Sequence, residues 1–72
     1  MKKIKKIKIQ VNRKISHIKV NSNLQELVNK LKIPIKKVAI ELNQEIVDKN
    51  KLKKYNLKEK DKIEIVHFIG GG

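Results

Sequence analysis

The three glycines of this sequence are consecutive and stand at its end, as Gly70, Gly71 and Gly72. Turns inside the chain must therefore use Asn, Lys or Asp, although glycine adopts a positive φ angle at less cost. Because a glycine segment has no side chains, it can enter a narrow channel and bring the carboxylate of Gly72 against a nucleotide phosphate. Such a segment loses much conformational entropy on binding, which suits a transient carrier. The alternative is a frayed end without a role.

A carboxylate is a poor acyl donor until adenylation converts one of its oxygens into a good leaving group. The interior of the chain contains no glycine and so cannot form a glycine-rich phosphate loop. The ATP site must then belong to a partner enzyme. We therefore predict that Gly72 is the reacting residue and that the chain is a carrier rather than an enzyme.

Other residues that could do chemistry lack suitable partners. The sequence has no cysteine, which excludes a disulfide framework, a thiolate metal site and a cysteine nucleophile. His17 and His67 lack the ligand spacing of a metal site, and strand alternation predicts that both lie on the strand faces opposite the core. Glu59 and Asp61 flank a predicted turn and are interpreted as solvated turn residues. No intrinsic metal or cofactor is expected.

The net charge of +12 raises the question of a polyanionic partner such as nucleic acid. Arg13 is the sole arginine, whereas base readout relies on arginine. Tyr55 and Phe68 are the only aromatic residues, too few for a base-stacking platform. The lysines are also scattered along the chain, so we interpret them as a solvated exterior and expect no nucleic-acid partner.

Seventy-two residues are near the lower limit for a domain without disulfides or metals. A hydrophobic content of 39% can form one small core but leaves no room for an enclosed substrate cavity. We expect one domain over residues 1–68 and a glycine-rich tail at 69–72. Apolar runs are only a few residues long, against the ~20 that span a bilayer, and no secretory signal follows the basic start. We therefore expect a cytoplasmic protein without a membrane partner.

The first twenty residues show the alternation of half-buried strands. In residues 4–11, Ile7, Ile9 and Val11 share one predicted face. A polar break follows at residues 12–14, and then Ile18 and Val20 alternate with polar neighbours. Two strands separated by three residues indicate a hairpin.

The hydrophobic period then changes to that of an amphipathic helix. Ser22 with Gln25 three residues later fits a capping box, and Asn21 is an alternative N-cap. Pro34 disfavours helical geometry in the residue before it, so the helix should end near Lys32. The predicted apolar stripe consists of Leu24, Leu27, Val28 and Leu31.

The second half of the sequence predicts three further strands and a charged connection. Leu52, Tyr55 and Leu57 are expected to pin that connection, residues 48–60, to the core. In the last strand, Glu64 and Val66 are predicted to face outward. The order strand, strand, helix, strand, short strand, strand predicts one α+β domain with a single helix across a mixed sheet. The three predicted strands are residues 38–42, 45–47 and 62–68.

Two segments carry a resemblance to a known family. The ending IEIVHFIGGG, at residues 63–72, resembles the C-terminus of the ThiS family of sulfur carriers. The segment VAIELNQEIV, at residues 38–47, is similar to the family's strand-turn-strand, and Asp61 stands where the family has an acidic turn residue. The resemblance implies a β-grasp, ubiquitin-like fold with four to five strands and one main helix.

The resemblance also implies a cycle in thiamine biosynthesis. A ThiF-type adenylyltransferase would use ATP to activate Gly72, and sulfur from a cysteine desulfurase would replace the adenylate to give a thiocarboxylate. Thiazole synthase (ThiG) would receive that sulfur. Gly70 and Gly71 would let the tail enter the active sites of these partners.

The same resemblance assigns a docking role to three of the residues that precede the glycines. Val66, Phe68 and Ile69 would contact the partner enzymes, although Phe68 could instead pack on its own sheet. The sequence departs from the family pattern at Lys60, where many members have Gly, and at Asp48, where many have Pro.

Alternative functions share the glycine ending. A MoaD-like carrier would donate its sulfur to molybdopterin, and a ubiquitin-like modifier would be conjugated to lysines of target proteins. A nucleic-acid-binding module is the alternative that the +12 charge motivates; its affinity would fall steeply with salt.

Overall fold

Five strands, one α-helix and two short 3₁₀ helices make up the described part of the chain, residues 5–68. The order of elements confirms the predicted one. In the computed structural model the elements are β1 (Lys6–Val11), β2 (Lys14–Lys19), α1 (Leu24–Leu31), a first 3₁₀ helix (Ile35–Lys37), β3 (Val38–Leu42), β4 (Glu45–Ile46), a second 3₁₀ helix (Lys49–Lys54) and β5 (Lys62–His67).

The strands form one mixed sheet in the order β2-β1-β5-β3-β4. β1 and β2 form an antiparallel hairpin, and β3 is antiparallel to both β4 and β5. β1 and β5 run parallel, which places the first and the last strand of the domain side by side in the middle of the sheet. The predicted α+β class with a mixed sheet and one main helix is confirmed.

The β1–β2 hairpin has a tighter turn than the sequence predicts. Asn12 and Arg13 have φ angles of 49° and 71°, as a two-residue turn with positive φ at both positions requires. Lys14 already pairs with Val11, so the predicted three-residue break is wrong. Val20 lies beyond the end of β2 and is exposed, so it does not share the core face of that strand.

The helix begins one residue later than predicted. Asn23 is the N-cap, and its side chain and that of Glu26 form the two reciprocal hydrogen bonds of a capping box. The predicted caps are wrong because Ser22 is buried and Asn21 has a φ of 69° in the preceding turn. The predicted end is confirmed: Lys32 is the left-handed C-cap.

The core lies between α1, the inner face of the sheet and the connection that follows β4. Leu52 and Leu57 are buried and Tyr55 is packed against them, which confirms that this connection is pinned. Leu31 is 41% exposed, so it does not extend the buried stripe as predicted. Within residues 5–68, α1 and the two 3₁₀ helices lack the length and the apolar character of a membrane-spanning helix. The buried core residues are Ile9, Ile18, Leu24, Leu27, Val28, Val38, Ile40, Val47, Leu52, Leu57 and Ile63.

Candidate functional site

The predicted reacting residue and its neighbours lie outside the described residues. This applies to Ile69, Gly70, Gly71 and Gly72. Their roles, and the predicted boundary between a domain at 1–68 and a tail at 69–72, stay predictions. The structure does describe Phe68 and the strand that leads to it.

β5 is held on both sides before it reaches Phe68. Its first residues pair with the end of β1, and its residues from Ile63 to His67 pair with β3. Where β1 ends, the side-chain oxygen of Asn12 accepts a hydrogen bond of 2.6 Å from the Ile65 amide. One residue past the strand, the Phe68 amide donates to the Lys37 carbonyl at 2.9 Å. The backbone is therefore fixed by hydrogen bonds up to the start of the predicted tail.

An exposed face of the sheet lies next to this point. Val66, 55% exposed, is directly opposite Ala39, and Glu64 is directly opposite Glu41. On the other side of β3, Glu41 is opposite Ile46, which is 74% exposed. Opposed residues of an antiparallel pair lie on one face. These five residues form what we call the outer sheet face, and it places Val66 outward as predicted.

Two carboxylates at directly opposed positions are unusual in this chain. It has 19 basic and only seven acidic residues, yet Glu41 and Glu64 face each other across β3 and β5. Like charges in this arrangement are unfavourable for the sheet. The outer sheet face thus combines apolar side chains with a local negative charge, in a protein that is otherwise strongly positive.

Phe68 is 58% exposed, which leaves much of its ring available to a partner. The Nζ atom of Lys49 lies 5.2 Å from the centre of the ring, within the range of a cation–π interaction. The same Nζ donates to the carbonyl oxygens of Ile35, at 3.0 Å, and Val38, at 2.6 Å. The ring therefore contacts a lysine that is itself anchored on the backbone around the start of β3.

Sequence reasoning missed Lys49 and the opposition of the two glutamates. Lys49 is one lysine among many, and the groups it contacts are distant in sequence, so no local pattern singles it out. Alternation does predict that Glu64 faces outward, but the pairing with Glu41 depends on the register of two strands.

The histidines do not form a catalytic or metal site. His17 is exposed and lies opposite Lys8 on the outward side of the hairpin. His67 is opposite the buried Val38, so its predicted position on the face away from the core is wrong. It is exposed nevertheless, because the strand ends there. Within residues 5–68 no three His, Cys, Asp or Glu side chains gather to hold a metal ion.

Comparison with known proteins decides the family. The sequence model of the ThiS family matches residues 5–72, which includes the glycine ending. The chain belongs to the ThiS family. A curated relative in that family, the sulfur carrier protein ThiS of Bacillus subtilis, is 37% identical over 65 residues, which cover 89% of this chain and 98% of the relative.

The fold of the family is confirmed by solved structures. The crystal structure of the thiamine biosynthesis protein ThiS from Geobacter metallireducens superposes with a TM-score of 0.81 at 30% identity, and the match covers 92% of this chain and all of that one. The predicted β-grasp fold and the predicted family resemblance are both confirmed.

Other relatives of this ThiS-family chain are much longer. A thiazole synthase from Paramagnetospirillum magneticum is 35% identical over 66 residues, and a second, from Magnetococcus marinus, is 36% identical over the same length. Each match covers 92% of this chain but only 20% of the thiazole synthase. A segment similar to most of this chain therefore occurs within longer thiazole synthase chains.

Proposed function

We propose that this chain is a sulfur carrier for thiamine biosynthesis, with Gly72 as the residue that holds the sulfur. The observation that carries the proposal is the family match over residues 5–72, which extends through the glycine ending. The nearly full-length similarity to a sulfur carrier protein supports it further. The structure adds a rigid strand, β5, that leads directly to the tail.

The chemistry takes place at the C-terminal carboxylate, in the active site of a partner. A carboxylate oxygen of Gly72 attacks the α-phosphorus of ATP, pyrophosphate leaves, and an acyl adenylate forms. A persulfide on the sulfur donor then attacks the carbonyl carbon and AMP leaves, which gives an acyl disulfide. A thiol cleaves this acyl disulfide, so that the thiocarboxylate is released and the donor sulfur remains in a disulfide. Gly70 and Gly71 let the carboxylate enter the site because they have no side chains. A ThiF-type adenylyltransferase supplies the ATP site, and a cysteine desulfurase is the origin of the sulfur.

The acceptor in this proposal is a thiazole synthase of the ThiG type. Two thiazole synthases contain a segment similar to this domain, so in those chains a related domain is covalently joined to a thiazole synthase. Such a covalent link is expected when two proteins work together. It supports thiazole formation over molybdopterin synthesis as the destination of the sulfur.

Docking would use the exposed side chains around the end of β5. Val66 and Phe68 are both more than half exposed, and large exposed apolar side chains that lie close together are typical of interaction sites. We assign the outer sheet face and Phe68, together with Ile69, to partner binding. The glutamates of that face would be complemented by a basic side chain of the partner.

Intact-mass spectrometry tests the central step. When the chain is incubated with ATP, a ThiF-type adenylyltransferase and a sulfur source, we expect a mass gain that equals the replacement of one carboxylate oxygen by sulfur. A variant truncated after Gly70 should show no gain, because it lacks the residue that enters the active site.

The control is the reaction of the same ThiF-type adenylyltransferase with the sulfur carrier protein that is its natural substrate. If the enzyme converts that carrier but leaves this chain unchanged, the proposal is wrong. A thiazole synthase and a molybdopterin synthase system, supplied separately with the charged chain, then identify the acceptor. Sulfur transfer to the molybdopterin precursor alone would contradict the thiamine assignment.

A further inference from the structure

One lysine differs from the others in its environment. Every lysine among residues 5–68 is exposed except Lys49, which is partly buried. Its Nζ contacts three groups from two separate segments: the carbonyls of Ile35 and Val38, at 3.0 and 2.6 Å, and the ring of Phe68, at 5.2 Å. Ordering a long lysine side chain costs conformational entropy, so this position is held by specific contacts.

These contacts join the start of β3 to the residue that precedes the tail. Between the two acceptors of Lys49, the carbonyl of Lys37 accepts the hydrogen bond of the Phe68 amide. The backbone of Phe68 is thus held by Lys37 and its ring by Lys49. Both tethers end on the segment 35–38, so together they fix the position and the orientation of Phe68 at the edge of the described domain.

We propose that Lys49 is a positioning residue for the C-terminal tail. By holding the Phe68 ring, Lys49 fixes the residue from which the tail starts and presents the exposed side of the ring to the partner. This inference rests on the proposed carrier function. Glycine has more conformational freedom to lose than any other residue, so a fixed starting point lowers the entropic cost of bringing the tail into an active site.

A merely structural role would make a different prediction. If Lys49 only stabilised the fold, its loss would lower thermal stability without a specific effect on tail presentation. If it positions the tail, its loss raises the KM for this chain as the substrate of the adenylyltransferase. The kcat stays unchanged, because the carboxylate that finally reaches the ATP is the same.

The test compares Lys49→Met with Lys49→Arg and Lys51→Met. Methionine keeps an unbranched side chain of similar length but removes the charge and the donors, whereas arginine keeps a cation that can donate and stack. Lys51 lies in the same 3₁₀ helix and is exposed, so Lys51→Met is matched for the change in net charge. Pyrophosphate release by a ThiF-type enzyme, measured against carrier concentration, gives the two kinetic constants.

We expect Lys49→Met to raise KM about two- to five-fold, the size of one cation–π contact, with kcat unchanged. Lys49→Arg and Lys51→Met should keep KM close to that of the unchanged chain. An equal KM for the two methionine variants would overturn the proposal. The proposal would also be overturned if a core variant such as Val28→Ala, with the same loss of thermal stability as Lys49→Met, raised KM by the same factor.

A second readout needs no partner. In NMR spectra of the free chain, Lys49→Met should shift the Phe68 ring resonances and sharpen those of the tail, while Lys51→Met leaves both unchanged. Unshifted ring resonances would show that Lys49 does not hold the Phe68 ring, and they would overturn the proposal. If the NMR changes occur but the enzyme does not act even on the unchanged chain, the proposed carrier function fails, and the positioning role fails with it. A shift of the Phe68 resonances without any change in KM would show that Lys49 holds the ring but does not position the tail, which would also overturn the proposal.

Discussion

At the scale of single residues, the turns of this domain adopt conformations that favour glycine without using it. Seven of residues 5–68 have a positive φ angle, and none of them is glycine. Asn tolerates this region better than Lys or Arg, because its short side chain can hydrogen-bond locally. Lys60, which has a long side chain, has a φ of 72°. The seven residues are Asn12, Arg13, Asn21, Lys32, Asn43, Gln44 and Lys60.

Replacing Lys60 by Gly should therefore stabilise the domain. Removing the side chain relieves a left-handed conformation, and part of that gain is offset by the greater freedom of glycine in the unfolded chain, so we expect about 0.5 kcal/mol. The Lys60 amide donates to the Lys8 carbonyl, and glycine keeps that bond. Thermal unfolding should show a Tm increase of roughly 2 to 4 °C. Lys58→Gly is the control, since Lys58 does not have a positive φ and the same substitution should lower the Tm.

At the scale of elements, α1 begins where a neighbouring segment holds it. The amide of Leu24 donates to the Tyr55 carbonyl at 2.8 Å, and the amide of Leu57 donates to the Ser22 carbonyl at 2.8 Å. This pairing holds the residues before the helix in an extended conformation. Asn23 is then the first residue whose side chain can reach the free amides of the first turn.

Asn23→Ala should accordingly weaken the domain. The substitution leaves the Glu26 amide without its acceptor and breaks the capping box, at a cost of about 1 kcal/mol. In a domain of this size that loss corresponds to a Tm decrease of roughly 4 to 8 °C. Asn29→Ala, at an exposed position of the same helix, should change the Tm little, because the higher helix propensity of alanine offsets the loss of the hydrogen bond that Asn29 accepts from the Gln25 side chain. Equal effects of the two substitutions would show that Asn23 does not act as a cap.

β5 is the element that connects the fold to the proposed function. It lies between β1 and β3, and its alternation sends Ile63 into the core and Val66 to the outer sheet face. The same strand therefore stabilises the domain with one face and presents an exposed surface with the other. Phe68 follows it directly, held by Lys37 and Lys49.

At the scale of the whole molecule, the charge of +12 on 72 residues is the main unfavourable electrostatic feature. With the exception of Lys49, the lysines of residues 5–68 are exposed, in agreement with their interpretation as a solvated exterior. Mutual repulsion of so many like charges destabilises a compact state, and salt screens it.

We therefore expect the Tm to rise between about 10 mM and about 150 mM NaCl, as the Debye length falls from about 30 Å to about 8 Å. Differential scanning calorimetry at constant pH measures this directly. KCl should give the same curve, because screening depends on ionic strength and not on the identity of the monovalent cation. A Tm that stays constant or falls would show that attractive ion pairs outweigh the repulsion.

The amino-acid sequence by itself determined the order of strands and helix, the end of the helix at Lys32 and the family. Strand and helix periods are local, so Ile7, Ile9 and the stripe from Leu24 to Val28 could be assigned without knowledge of their neighbours. The glycine ending and the segment that precedes it are contiguous motifs, and for that reason the predicted reacting residue, Gly72, needed no structure.

Only the tertiary structure decided which residues hold the start of the tail. The acceptors of Lys49 lie 14 and 11 residues before it in sequence, and the ring it contacts lies in a third segment. The opposition of Glu41 and Glu64 likewise depends on the register of β3 and β5. Such contacts arise when packing brings distant segments together, and they leave no periodic signal in the sequence. The tertiary fold, and not the local sequence, therefore distinguishes Lys49 from the other lysines.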